Sequence, residues 1–242
     1  MTDVARKILA IEDDASMQRL FRLAVEDDPV DLSLCSNVPE AVQELERSVF
    51  DLIITDLMLP GESGIGLMKR FSAQPGLRHE AELVVLSAGI TPQQTADLKT
   101  MGVNGFLLKP VSIARLRQLM LHGLSGPSQA TPSETNPVIA YFEGNQLLFD
   151  QFAAHCAIQF EMDCKHGEDA ARRQDLSGIY TVAHTVSAAL EMLGEKDMAL
   201  RCRTLMDLTK KPGQACLAMR AWDDLSESLM TLCKRLRLKS LQ

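Results

Sequence analysis

Five short apolar runs, each followed by a stretch of helical periodicity, fill the first half of this 242-residue chain. The runs are Ile8-Leu9-Ala10-Ile11, Leu32-Ser33-Leu34, Leu52-Ile53-Ile54, Leu83-Val84-Val85-Leu86 and Gly105-Phe106-Leu107-Leu108. Between them, Met17, Leu20, Phe21 and Ala24 recur at helical spacing, as do Ala41, Val42 and Leu45, and Gly66, Leu67, Arg70 and Phe71. Further helices are expected over 91–101 and 112–121, the last with Ser112 as its N-cap. Strands buried on both faces read as continuous apolar runs, and five strand–helix units in succession predict a parallel, doubly wound α/β sheet.

Between Ser125 and Pro137 the apolar periodicity stops: Ser-Gly-Pro-Ser-Gln-Ala-Thr-Pro-Ser-Glu-Thr-Asn-Pro has the composition of an extended connector. We therefore expect a domain over 1–124, a flexible linker over 125–139 and a second domain over 140–242. Beyond the linker the period is 3.6 and no strand candidate remains. Helices are expected around Leu148, Phe152, Cys156 and Phe160, in a short piece near 168–173, and around Ile179, Ala183, Val186, Leu190 and Leu193. Two more follow, around Met198, Cys202 and Leu205 and around Trp222, Leu225, Leu229, Leu232 and Leu236. Amphipathic helices without strands bury their stripes against each other, which predicts an all-α four-helix bundle.

Composition narrows the function. The 25 basic side chains are outnumbered by 32 acidic ones, for a net charge of −7, and neither half is basic, which argues against bulk attraction to nucleic acid. No run of about 18 apolar residues exists, and the N-terminal apolar run is broken at Glu12-Asp13-Asp14, so no membrane span or signal peptide is expected and the location is read as cytoplasmic. The six cysteines, Cys35, Cys156, Cys164, Cys202, Cys216 and Cys233, form no Cys-x-x-Cys and sit mostly in helical patterns, so reduced core thiols are favoured over a zinc site.

In an open parallel sheet the chemistry collects at the carboxyl ends of the strands. Here those ends carry Glu12-Asp13-Asp14, Asp56, Ser87-Ala88-Gly89 and Lys109-Pro110. Converging carboxylates repel one another, and a hard divalent cation with oxygen ligands is the usual reason to tolerate them; Mg²⁺ is the natural candidate. A cation held by Asp13 and Asp56 could orient a phosphoryl donor while one carboxylate oxygen attacks phosphorus to give an aspartyl phosphate. Ser87 and Lys109 would then hold the remaining phosphoryl oxygens.

With Glu12-Asp13, Asp56 followed by Leu57-Met58-Leu59-Pro60-Gly61 and Gly64, Ser87-Ala88 and Lys109-Pro110, residues 5 to 124 resemble the receiver domain of two-component response regulators. The resemblance implies a flavodoxin-like five-stranded sheet in which Asp56 accepts phosphate from a phosphohistidine. It also implies that Asp13, Asp56 and the Met58 carbonyl bind Mg²⁺, with Glu12 reaching the ion through water. Ser87 and Lys109 would be the switch pair, and Phe106 stands where many receivers carry a movable aromatic.

Of the five histidines, His184 is the informative one. It lies two residues from Val186, about 200° around the helix from the buried stripe, and should point to solvent with Thr181, Ser187, Ala188 and Glu191. An exposed neutral imidazole is a competent phosphoryl acceptor near pH 7. Ala183-His184-Thr185-Val186, with Leu193-Gly194 following, resembles a histidine phosphotransfer (HPt) domain over about 140–238. The family commonly carries Lys and Gly three and four residues after its histidine; here those positions are Ser187 and Ala188, which removes a cation and adds a methyl group where a partner must approach.

Two functions are therefore expected to compete. In the first the protein works in a phosphorelay, with a sensor histidine kinase or phosphotransfer protein upstream and a receiver or other regulatory protein downstream. Its only activities would then be receiver self-phosphorylation and phosphotransfer. In the second, phosphorylation of Asp56 switches a degenerate HPt-like bundle that docks or sequesters a partner, and Ser187, Ala188 and Glu191 are interface residues in both. A DNA-binding output needs a basic recognition helix, which the second half lacks.

Overall fold

The computed structural model describes residues 5–125 and 136–239. Its contacts divide the chain into two compact units, 1–132 and 133–242. Most of the expected linker, 126–135, lies outside the described residues.

The first unit contains β1 (Arg6–Ile11), β2 (Val30–Cys35), β3 (Leu52–Asp56), β4 (Glu82–Ser87) and β5 (Gly105–Leu108), one at each of the five apolar runs. All pair in parallel, in the order β2-β1-β3-β4-β5. The connecting helices are α1 (Ala15–Ala24), α2 (Val38–Arg47), α3 (Gly64–Ala73), a four-residue α4 (Pro75–Arg78), α5 (Pro92–Thr100) and α6 (Ile113–His122). Ser112 caps α6, its hydroxyl accepting from the Arg115 amide, as its place before the apolar pattern predicts.

Side chains alternate across each strand, and in the inner strands β1, β3 and β4 the apolar residues of both sets are buried. Leu9, Ile11, Ile53, Leu83 and Val85 join one core with Val38, Ala41 and Leu45 of α2, Leu67, Met68 and Phe71 of α3, and Leu98 of α5. The alternate residues Ile8, Ala10, Leu52, Ile54, Val84 and Leu86 are equally buried and face the layer in which α1 and α6 pack together. Strand order reverses between β1 and β3, which opens a crevice at their carboxyl ends.

The second unit holds α7 (Pro137–Phe142), α8 (Gln146–Arg172), α9 (Leu176–Met192), α10 (Lys196–Lys210) and α11 (Ala215–Lys239). Helix α7 takes up the last residues of the expected linker and docks Phe142 on α8, its ring 5.5 Å from Phe149 and 5.3 Å from Phe152. The four long helices contact one another in ring order, as an up-and-down bundle requires. The separate short helix expected near 168–173 does not exist: α8 runs unbroken to Arg172. Within it, Gly167 is the point where the buried Trp222 of α11 lies against α8, since a Cβ there would stand 2.0 Å from Trp222 Cζ2. A mid-helix glycine costs about 1 kcal/mol of propensity, less than the burial of an indole returns.

No disulfide joins any of the six cysteines, and only Cys216 is exposed. No described helix is long and apolar enough to cross a membrane.

Candidate functional site

The crevice between β1 and β3 is lined by the residues that close those strands. Ile11 pairs with Thr55, which sets Glu12 and Asp56 side by side at the sheet rim, and Lys109 follows β5 with its amide on the Ser87 carbonyl at 2.8 Å. Lys109 Nζ lies 2.6 Å from Glu12 Oε2 and 2.5 Å from Asp56 Oδ2, and all three side chains are at most 5% exposed. The other Asp56 oxygen, Oδ1, accepts from the Met58 amide at 2.8 Å. Glu12 is held from behind: its backbone carbonyl accepts from Gln18 Nε2 at 2.6 Å and its Oε1 from the Asp14 amide at 3.3 Å. Asp14 caps α1 through the Ser16 amide at 2.8 Å.

Burial sets the electrostatics. It drives the Glu12 carboxyl well above the usual carboxylate range; the Lys109 charge opposes this, and the charges of Asp56 and Asp14 add to it. Asp13 is raised too, by burial and by Asp56, with Lys109 opposing. For Lys109, burial alone disfavours the ammonium, but the Glu12 and Asp56 carboxylates outweigh it and the net shift is upward. The three acids and the lysine are thus not a balanced set: one fixed cation faces three carboxyl groups, and the excess charge is negative.

Among the described residues, Glu12, Asp13 and Asp56 form the one group of metal-ligating type whose donor atoms converge, all within 4.8 Å of one another. Glu12 Oε2 is buried and, although in ion contact with Lys109, has no donor aligned on it in hydrogen-bond geometry. Hard oxygen donors, an excess of negative charge and a buried lone pair without an aligned donor fit a hard divalent cation.

Ser87 is close but engaged elsewhere, its hydroxyl donating to the Gly89 carbonyl at 2.9 Å and accepting from the Gly89 amide at 3.3 Å. Phe106 is partly buried against the α2–α3–α5 core. Two further residues support Asp56: Thr55, which carries no clear sequence signal, and Gly64, which belongs to the motif that follows Asp56. Thr55 donates its hydroxyl to the Asp56 carbonyl at 2.9 Å. The backbone at Gly64 comes so close to that same carbonyl that a Cβ would stand 2.2 Å from it.

In the second unit the expectations need correcting. His184 is half-buried rather than pointing freely to solvent, because the ring of Tyr180, one turn earlier, stacks on it with centroids 6.1 Å apart and planes 20° apart. Ala188 is buried, not part of an exposed face: it is 9% exposed, because α9 packs on α8, α10 and α11 and so buries more than the one stripe. Thr181 is exposed and Ser187 partly so, while Glu191 pairs with Arg203 Nη1 at 3.0 Å. The Tyr180 contact was readable as an i, i+4 pair; that with Lys210, whose Nζ is 4.6 Å from the Tyr180 centroid, crosses to α10 and was not.

A five-stranded parallel sheet of this order, with acids at β1 and β3 and a lysine after β5, is the architecture of a signalling receiver. Residues 8–121 match the response regulator receiver domain model, and the chain belongs to that family. It is similar to chemotaxis protein CheY-3 of Vibrio cholerae, with 30% identity over 118 residues, 46% of this chain and 86% of the relative. It is also similar to the sensory/regulatory protein RpfC of Xanthomonas campestris pv. campestris, with 30% identity over 152 residues, 60% of this chain but only 21% of that much longer protein. Among solved structures, the chemotaxis response regulator CheY4 of Vibrio cholerae superposes with a TM-score of 0.45 at 22% identity, covering 50% of this chain and 99% of that one.

Proposed function

We propose that Asp56 is the phosphoacceptor of this receiver and that the helical unit continues the relay through His184. The observation that carries the first half is the buried Asp56 carboxylate, paired with Lys109 and converging with Glu12 and Asp13 at the strand ends. Asp13, Asp56 and the Met58 carbonyl would hold Mg²⁺, with Glu12 reaching it through water; bound there, the ion screens the charge of an incoming phosphoryl group. The donor is a phosphohistidine of a sensor histidine kinase or phosphotransfer protein. One Asp56 oxygen attacks phosphorus, the P–N bond of the donor breaks, and its electron pair returns to the imidazole. Lys109 then exchanges its carboxylate partner for a phosphoryl oxygen, and the Ser87 hydroxyl leaves Gly89 for another, a change that Phe106 can follow by rotation.

Relay beyond Asp56 reverses the bond changes: a ring nitrogen of His184 attacks, and the carboxylate leaves. The imidazole held by Tyr180 on α9 supports this reading. The buried Ala188 and the absence of lysine at Ser187 support the second reading, in which the bundle docks a regulatory partner without chemistry.

Acetyl phosphate with Mg²⁺ should label the wild type and not Asp56→Asn; label that persists in Asp56→Asn refutes Asp56 as the acceptor. Supplied with a phosphorylated receiver, the protein should also gain acid-labile, base-stable phosphate that is lost in His184→Gln. If the wild type gains none, relay is excluded and the docking reading stands.

A further inference from the structure

Two basic side chains of α10 flank His184, and they are held differently. Two turns toward the end of α9, Arg203 is matched by Glu191. One turn toward its start, Lys210 Nζ rests 4.6 Å from the centroid of the Tyr180 ring that stacks on the imidazole. Lys210 is exposed and has no carboxylate in ion-pair distance among the described residues. Among the described residues, a positive charge is therefore kept over the ring that stacks on the imidazole, with no carboxylate to neutralise it.

We propose that Lys210 is the counter-ion for a phosphoryl group on His184, filling from the next helix the role that Ser187 cannot fill. The proposal rests on the reading of His184 as a phosphoacceptor. Relative strengths favour it: an exposed ammonium over an aromatic face gains no more than an ordinary neutral hydrogen bond. A charge-assisted hydrogen bond to a phosphoryl oxygen gains roughly twice a neutral bond or more, so the cation would leave the ring for the anion. The four-carbon stem lets Nζ swing while Tyr180 stays in place, which makes Tyr180 the positioning residue for both the lysine and the imidazole. In the step itself a lone pair of the neutral imidazole forms the P–N bond as the bond from phosphorus to the donor's leaving group breaks, and the electron pair departs with that group. The ring keeps its other N–H and becomes cationic, while Lys210 pairs with phosphoryl oxygens and neither gains nor loses a proton.

The test uses the full chain carrying Asp56→Asn, so that label enters only at histidine, with phosphoramidate as donor and His184→Gln as the blank. Lys210→Ala should slow labelling of His184 about tenfold. Lys210→Arg, and Lys210→Ala combined with Ser187→Lys, should recover most of the rate, and the Lys210 effect should shrink at high salt. Unchanged thermal unfolding of Lys210→Ala would exclude a structural cause. Equal rates with and without Lys210, or no rescue by either basic replacement, would overturn the role of Lys210 and leave His184 as acceptor intact. Absence of any label above the His184→Gln blank would overturn both.

Discussion

The Lys109 ammonium and the Asp56 carboxylate, 53 residues apart in sequence, meet at 2.5 Å with 5% and 2% of their side chains exposed. A pair this dry is held by its partners rather than by solvent; removing the lysine strands the acids, whereas without Asp56 the lysine keeps Glu12. Lys109→Met leaves Glu12 and Asp56 buried without a cation and should cost the receiver unit about 3–5 kcal/mol in Mg²⁺-free urea unfolding. Asp56→Asn removes one of three crowded carboxylates and should shift the same transition the other way, by about 1 kcal/mol. Equal midpoints for Lys109→Met and wild type would show that the pair does not hold the rim together.

Mg²⁺ should stabilise only what it binds. At one hundred times its dissociation constant it would add about 2.7 kcal/mol to the receiver unit, read by calorimetry as an upward shift of one transition, while that of the helical unit stays put. Asp13→Asn and Asp56→Asn should abolish the shift. A shift that survives both substitutions would mean the ion binds elsewhere.

Gly64 is required by contact, not by an unusual backbone angle. A Cβ there would press on the Asp56 carbonyl at 2.2 Å, so Gly64→Ala should cost about 1–3 kcal/mol and slow phosphorylation of Asp56 by acetyl phosphate. Gly76→Ala is the control, since a Cβ at Gly76 meets nothing within 4 Å. Comparable losses at both positions would point to backbone freedom instead.

Gly167→Ala inverts the usual sign. In an exposed helix this change stabilises by about 1 kcal/mol, but here the added methyl meets Trp222 at 2.0 Å and should lower the bundle's stability by about 1–3 kcal/mol. Trp222 fluorescence should report the displacement. A more stable variant with unchanged emission would contradict the packing described.

Burial pushes the thiols of Cys35 and Cys233 up to about 11 and those of Cys164 and Cys202 up to about 12. Cys156 is buried as well, and Cys216 alone is exposed. At pH 8 a thiol reagent should therefore titrate one cysteine quickly in the native protein and all six in urea, and Cys216→Ser should remove the fast one.

Local pattern carried the receiver well. The first, third and fifth apolar runs end at or next to ionisable residues, so Glu12, Asp13, Asp56 and Lys109 were legible in the sequence, and the sheet's parallel pairing brings them to one rim. The bundle was less legible. Its periodicity placed the buried stripe of α9 but gave it one width, whereas α9 packs on several neighbours, which buries Ala188 and half-covers His184. The separate short helix expected near 168–173 failed for the same reason: only a partner helix shows that Gly167 admits an indole within an unbroken α8.

The sequence by itself determined the alternation of strands and helices, the change to a helical unit after the Pro-rich connector, and which acids and which lysine stand at strand ends. Each of these is written in neighbouring residues, where period, capping and chain order act. Tertiary structure alone decided that Lys109 is shared by Glu12 and Asp56, that Ser87 is turned to Gly89, that Gly64 touches the Asp56 carbonyl, and that Lys210 comes to rest beside the ring that holds His184. Those are contacts between segments far apart in the chain, and their energies depend on burial and on the partners that packing supplies, neither of which a residue carries in its own identity.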